Sequence, residues 1–194
     1  NVVALFSGDA YNMICKLLGA NWYAVVATVA LGALAVCHIV YAFILTAQNR
    51  RARGSERYAV TSKPDSVEWA SQNMLVLGLI VCLGLLLHLF NFWYNMMFAE
   101  LTGMHVNIDP THGFELIKVT FSNKLYVALY ILWIVALWFH LSHGFWSALQ
   151  TIGINGKVWF NRWKTIGIVY VTLLMLAFLV VVLAFAFGCA PSLY

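Results

Sequence analysis

Histidines are the residues of this 194-residue chain whose positions suggest chemistry, because most of them lie in long apolar stretches. The four in apolar stretches are His38, His88, His140 and His143. An ionisable side chain inside a bilayer is costly and needs a partner there. A proton relay or an ion transporter usually includes Asp or Glu, and these stretches contain no acid. Neutral imidazoles facing the interior of a helical bundle instead suit axial ligation of haem iron, in which two histidines bind one macrocycle.

The type of haem and the alternative to haem both follow from the sequence. No Cys-x-x-Cys-His motif occurs, which excludes thioether attachment, and the haem would therefore be of the b type. The alternative is a haem-free bundle, acting as a transporter or a scaffold, in which histidines hydrogen-bond between helices.

Among the cysteines, Cys15 and Cys189 both fall on the predicted outer side, where a disulfide is chemically allowed.

The elements that must position these histidines are spanning helices. The chain is 63% hydrophobic and 9% charged, far from the composition of a soluble domain. Its charges fall in clusters that leave four charge-free runs, each longer than the roughly 20 residues that cross a bilayer. We predict an all-α membrane protein, a transmembrane helical bundle with four spanning helices of an expected five, forming one domain over 1–194. The predicted helices cover about 20–48, 67–98, 123–152 and 165–188.

The orientation follows from the basic residues of the connections. Residues 50–68 hold five Lys or Arg and residues 157–164 hold three, whereas 1–16 and 100–124 together hold three. The positive-inside rule therefore places 50–68 and 157–164 in the cytoplasm, as in a multi-pass protein of a bacterial inner membrane. This orientation places the first segment, 1–16, on the outer side. A segment without a signal peptide reaches that side only if the chain has crossed the membrane before it, and this chain begins with Asn rather than Met. We therefore expect a further helix to precede it.

Depth along the helices predicts which histidines can share one haem. His38 lies on the cytoplasmic side of the centre of its run, and His140 lies at or just inside the centre of its helix. His88 lies in the outer half, about nine residues or roughly 13 Å from the level of His38. We therefore expect His38 and His140 to face one haem and His88 to face another. His143 shares a helix face with His140 and could be the ligand or could bond a haem propionate.

Three segments together resemble a known family. They are CHIVYAFILTAQNRRAR (37–53), LLLHLFNFWY (85–94) and FHLSHGFWSALQTIG (139–153). In this order they resemble the cytochrome b membrane anchor of succinate dehydrogenase and fumarate reductase, in its single-subunit, five-helix, two-haem form. The resemblance covers the whole chain except the family's first helix.

The resemblance implies roles for individual residues. His38 and His140 would be the axial ligands of the haem nearer the iron–sulfur subunit, and His88 would be one ligand of the distal haem. The family pattern places Gly four residues after the ligand and an aromatic residue two further on, as Gly144 and Trp146 follow His140. It favours His140 over His143, and the first-helix ligand has no counterpart in this sequence.

The resemblance also implies a function. The anchor would pass electrons between menaquinone and an iron–sulfur subunit through two b haems, with the succinate or fumarate chemistry on a partner flavoprotein at the cytoplasmic face. Membrane lipid and quinone would be its other partners, nucleic acid would not be one, and the complexes could pair as a dimer. Proton transfer at the outer quinone site would use an acid, for which Asp9 and Glu100 are the candidates near the relevant helix ends. A different quinone-linked cytochrome b anchor is the alternative within this class.

Overall fold

A computed structural model describes residues 1–19, 21–54, 68–154 and 156–190. Its main elements are all helices: α1 Gly8–Leu18, α2 Trp22–Arg53, α3 Met74–Thr102, α4 Gly113–Ser122, α5 Lys124–Thr151 and α6 Trp159–Ala186. Short helical turns at Val2–Leu5 and Trp69–Gln72 precede α1 and α3. No strand occurs in these ranges, and α2, α3, α5 and α6 are long and apolar enough to cross a membrane. The predicted all-α membrane bundle with four spanning helices is confirmed.

We call the end of the bundle from which the predicted cytoplasmic connections leave the inner end. Two spanning helices extend further than predicted at this end. The α2 helix continues to Arg53 instead of stopping near residue 48. Its last turn is rich in arginine, which suits the negative end of a helix dipole, and Gly54 then leaves the helix with a φ of +73°. The α6 helix begins at Trp159 instead of 165, so it includes the charged residues Arg162 and Lys164. Most of the polar connection predicted at 50–68 lies outside the described residues.

The α3 helix changes its winding in its outer half. It is α-helical over Met74–His88, π-helical over Leu89–Phe98 and α-helical again over Ala99–Thr102. The side-chain amide of Asn95 donates to the carbonyl oxygens of Phe90 and Asn91, each at 3.0 Å. Such extra donors satisfy backbone carbonyls where the regular pattern is interrupted in lipid. The widened segment begins at the residue after His88.

Two short helices form a cap over the outer end of the bundle. The Ser7 hydroxyl accepts from the Ala10 amide at 3.2 Å and begins α1. The α4 helix has no cap of its own, and the Asn12 side-chain oxygen accepts from the Phe114 amide at 2.9 Å instead. Phe114 is 1% exposed, and its ring centre lies 5.2 Å from that of Phe185 in α6. The predicted outer connection at 100–124 therefore contains a buried helix.

The spanning helices differ in how closely they pack. The α6 helix packs along α5, with the Trp138 Nε1 atom donating to the Thr172 hydroxyl at 2.8 Å. The α3 helix packs on the other side of α5, where the Trp133 Nε1 atom donates to the Val81 carbonyl at 3.0 Å. None of the 32 residues of α2 is buried, although each of the other spanning helices has buried residues. The α2 helix therefore lies beside the bundle without packing closely into it.

Candidate functional site

Two of the predicted ligands, on separate spanning helices, lie next to each other. The ring centres of His38 in α2 and His140 in α5 are 6.2 Å apart, with the ring planes at 84°. The Nδ1 atom of His140 is buried and has no hydrogen-bond partner. The His140 ring lies beside Gly78 of α3, where an added Cβ would lie 3.7 Å from the imidazole Cε1. We call His38 and His140 the inner pair.

The geometry of the inner pair fits ligation of one metal between two imidazoles. A metal–imidazole bond is about 2 Å long, so two rings bound to opposite sides of one metal have their centres about 6 Å apart. A bare metal ion needs more protein ligands than two, and no group of three or more His, Cys, Asp or Glu that could hold one occurs among the described residues. Haem iron takes four ligands from its macrocycle and needs only two axial ligands from the protein. The inner pair therefore suits haem better than a bare ion.

His143 lies one helical turn nearer the inner end and has a different neighbour. Its Nδ1 atom is 3.2 Å from the Oε2 atom of Glu68, whose Oε1 atom lies 2.5 Å from the Lys164 Nζ atom. The hydrogen bond from Lys164, with a weaker one from His143, lowers the pKa of the Glu68 carboxyl. We call these three residues the Glu68 bridge. It joins the start of α3 to α5 and α6, so the structure does not place His143 in the inner pair.

His88 lies in an aromatic cage formed by α3 and α5. The ring centres of Phe92, Tyr130 and Trp133 lie 5.1, 6.2 and 5.4 Å from that of His88. The Nδ1 atom of His88 is buried and makes no hydrogen bond. The buried Asn91 side-chain amide donates to the Tyr130 hydroxyl at 3.3 Å and holds one wall of the cage. His88 thus has aromatic rings on several sides, and its Nδ1 atom has no hydrogen-bond partner among the described residues.

The two histidine levels are separated along the membrane normal. His140 lies beside Gly78, and His88 follows Gly78 by ten residues in the same helix, or about 15 Å at helical rise. This spacing agrees with the predicted separation and prevents His88 from joining the inner pair. Of the remaining histidines, His105 is exposed in the outer connection, and His112 is exposed at the N-cap position of α4. His88 therefore has no second histidine at its level in this chain.

A cavity of about 540 Å³ opens beside His88 on the outer side, within the size range of small-molecule sites. Residues of α1, α3, α5 and α6 line it, among them His88, Trp93, Tyr130, Trp133 and Val182. The wall is mostly apolar, and the indole Nε1 of Trp93, like the Nδ1 of His88, is buried without a partner. A mostly apolar wall with a few unsatisfied polar atoms is typical of a ligand site. We call this space the outer cavity.

The two candidate acids differ in their distance from the outer cavity. Gly19 lines the cavity, and the Glu100 carboxylate lies against it. The contact is so close that a Cβ atom at Gly19 would overlap the carboxylate. Asp9 lies exposed in the first turn of α1. Cys15 lines the same cavity, and neither it nor Cys189 is in a disulfide, so the allowed bridge is not formed. Of the two acids, Glu100 therefore contacts a residue of the cavity wall, although it does not itself line the cavity.

Comparison with known proteins adds no assignment to this geometry. No protein-family model, curated protein or solved structure matches the chain. The function must therefore be inferred from the histidines, the outer cavity and the charges at the ends of the bundle.

Some residues of the site gave little sequence signal. Gly78 and Gly84 are two of several glycines in apolar helices, and only the structure shows that they lie against the His140 and Trp133 rings. Glu68 lies at the end of the predicted connection 50–68, and its contact with Lys164 joins two residues that are 96 positions apart (164 minus 68).

Proposed function

We propose that this chain is the haem b-binding membrane anchor of a succinate:quinone oxidoreductase or quinol:fumarate reductase. In this role it transfers electrons between menaquinone and an iron–sulfur partner subunit. The observation that carries the proposal is the 6.2 Å separation of the His38 and His140 rings on two different spanning helices. The three sequence segments that resemble such anchors include these two histidines and His88.

The inner pair would hold the first haem. His38 and His140 would supply its two axial nitrogens, and the bound haem would accept and release one electron at a time. The loose packing of α2 supports this role, because a macrocycle between α2 and α5 needs space that closely packed helices do not leave. Gly78 contributes a wall without a side chain next to His140. His143, engaged by Glu68, would act on the inner haem only from the neighbouring turn.

The outer level would hold a second haem and the quinone. His88 would supply one histidine ligand to that haem. The outer cavity gives an apolar site of suitable size for the ring of menaquinone. Glu100 beside Gly19 would give or take the protons that accompany quinone chemistry at this side of the membrane. Two levels about 15 Å apart would allow electrons to cross the bilayer in steps.

The inner end would bind the soluble partners. A basic cluster at the end of α2 and further cations at the start of α6 give this end a positive charge, which agrees with a cytoplasmic location. In this arrangement the flavoprotein carries the succinate or fumarate chemistry, and the iron–sulfur subunit connects it to the inner haem. The proposed location is the inner membrane of a bacterium.

The proposal is tested by the absorption of the purified protein. Dithionite-reduced minus oxidised spectra should show the α band of b haem, with two histidine ligands by magnetic resonance. A preparation that folds as a helical membrane protein but binds no haem under any reconstitution condition would support the haem-free bundle. Co-purification with a subunit containing covalent flavin separates this anchor from anchors of other quinone-linked enzymes.

A further inference from the structure

The first two turns of α6 carry polar groups on a face that points away from the bundle. Asn161, Arg162, Thr165 and Ile166 are all exposed there and line a shallow depression of the surface. The Arg162 guanidinium lies 5.1 Å from the centre of the Trp159 ring. The Thr165 hydroxyl donates to the Asn161 carbonyl at 3.1 Å. Within the part of the chain that the structure describes, neither the Asn161 side chain nor Arg162 has a hydrogen-bonding or carboxylate partner.

The other cation of this segment has the opposite environment. Lys164, two residues further on, turns toward the bundle, where its Nζ atom contacts Glu68 and lies 4.8 Å from the Trp146 ring centre. Its charge is therefore compensated by a carboxylate, whereas that of Arg162 is not. A planar guanidinium on an exposed helix face is the group that best matches the geometry of a phosphate.

An apolar surface continues from this polar face toward the middle of the membrane. Its residues follow helical spacing and are 45% to 64% exposed: Ile166, Val169, Tyr170 and Leu173. Residues three and four apart lie on one side of a helix, so these side chains form a continuous stripe below Arg162. A stripe of this kind at membrane depth fits an acyl chain. A phospholipid has such a chain, whereas a soluble phosphate or an acidic protein has none.

We propose that this face of α6 binds an anionic phospholipid, with the phosphate held by Arg162 and Asn161 and an acyl chain lying along the stripe. Trp159 suits the same level, since tryptophan is favoured at the boundary between headgroups and hydrocarbon. The exposed Lys157, in the turn before α6, adds a second positive charge near the headgroup. The site is independent of the histidines, so its test does not depend on haem.

The experiment is a titration of the purified protein in mild detergent with phosphatidylglycerol, followed by thermal unfolding and by native mass spectrometry of lipid adducts. Phosphatidylcholine and inorganic phosphate are titrated in parallel to separate an anionic lipid from any lipid and from free phosphate. The test variant is Arg162→Gln. The matched control is Arg53→Gln, which removes an exposed arginine at the same end of the bundle, on α2.

Phosphatidylglycerol should raise Tm and form adducts with the unaltered protein, and the other two ligands should do neither. Arg162→Gln should weaken the apparent affinity about fivefold, because one basic residue near a membrane surface contributes about that factor. Arg53→Gln should change it by less than about twofold. Equal affinity of Arg162→Gln and the unaltered protein, an equal loss in Arg53→Gln, or an equal effect of phosphatidylcholine or phosphate would each overturn the proposal.

A second variant covers the case in which Arg162→Gln does not fold. Asn161→Ala removes one hydrogen-bond donor from the same face and should weaken the affinity for phosphatidylglycerol about threefold. Unchanged affinity in this variant would count against the site.

Discussion

The inner and outer halves of the bundle treat their histidines differently. At the inner level two histidines from different helices lie next to each other, and one of those helices, α2, has no buried residue. At the outer level a single histidine is enclosed by aromatic rings and lies beside a cavity that α1 helps to enclose. The inner half thus has two candidate ligands with little packing between the helices that carry them, and the outer half has one candidate ligand enclosed by aromatic side chains. The chain alone can complete a two-histidine site only at the inner level.

The largest effect should come from removing one ligand of the inner pair. His140→Ala or His38→Ala should abolish binding of the inner haem, because one remaining imidazole cannot supply both axial bonds. His143→Ala, the matched control one helical turn away, should retain that haem, since His143 is held by Glu68. Haem content and the reduced α band measure the result. Retention of the haem in His140→Ala together with its loss in His143→Ala would exchange the two assignments.

Two glycines of α3 allow the packing of the two levels to be compared by the same substitution. A methyl group at Gly84 would overlap the Trp133 ring, whereas one at Gly78 would make an ordinary contact with His140 at 3.7 Å. Gly84→Ala should therefore reduce the free energy of unfolding by about 1–3 kcal/mol, and Gly78→Ala should leave it unchanged or raise it by up to about 1 kcal/mol. Thermal and denaturant unfolding in detergent measure both. Equal stability of the two variants would show that the outer half is not the more tightly packed.

The outer cap should depend on a single side chain. Asn12→Ala removes the acceptor for the Phe114 amide at the start of α4 and should cost about 1 kcal/mol, the usual cost of losing a helix cap. Hydrogen exchange at Phe114 and its helical neighbours should accelerate, while exchange in α5 near His140 should not change. Asn161→Ala, at the inner end, is the control that changes the same residue type without touching a cap. Slow exchange at Phe114 in Asn12→Ala would show that the cap is held by packing alone.

The smallest effect should be the dependence of the inner end on pH. Lys164 and His143 lower the pKa of Glu68 from its ordinary value of 4.5. The folded state therefore gains stability from ionised Glu68 above that value, and loses it as the pH falls through the lowered pKa. Because Glu68 is partly exposed, we expect only a small fall in Tm on the acid side of about pH 4.5, and Glu68→Gln should reduce that fall. Glu115→Gln, at the outer end, should leave the acid-side fall in Tm as it is in the unaltered protein.

The sequence predicted the spanning helices and the depth of the histidines because both depend on one physical variable, the distance of a residue from the charged ends of its run. His38 and His140 were placed at one level by that distance, and their rings lie 6.2 Å apart. The separate level of His88 follows in the same way. Depth, however, does not determine which way a side chain faces, and only the structure shows that His143 contacts Glu68.

Features that depend on contacts between distant segments could not be predicted in this way. Residues 100–124 were predicted only as a connection, but Gly113 begins α4 there, and Asn12 caps this helix from α1. The sequence of the π-helical segment Leu89–Phe98 contains no pattern that distinguishes it from an α-helix in an apolar stretch. The early start of α6 is not predictable from charge alone, because Arg162 and Lys164 resemble the end of a spanning helix and only the structure shows that Lys164 pairs with Glu68 at the inner end of the bundle.

The hydrogen bond between Asn12 and the Phe114 amide spans 102 positions of the chain. A ribosome delivers the chain from its amino-terminal end, so the segment that holds Asn12 emerges long before α4 exists. Two spanning helices, α2 and α3, must enter the bilayer between the synthesis of these two partners. The helix cap formed by α1 and α4 therefore cannot assemble until both of these spanning helices have been inserted.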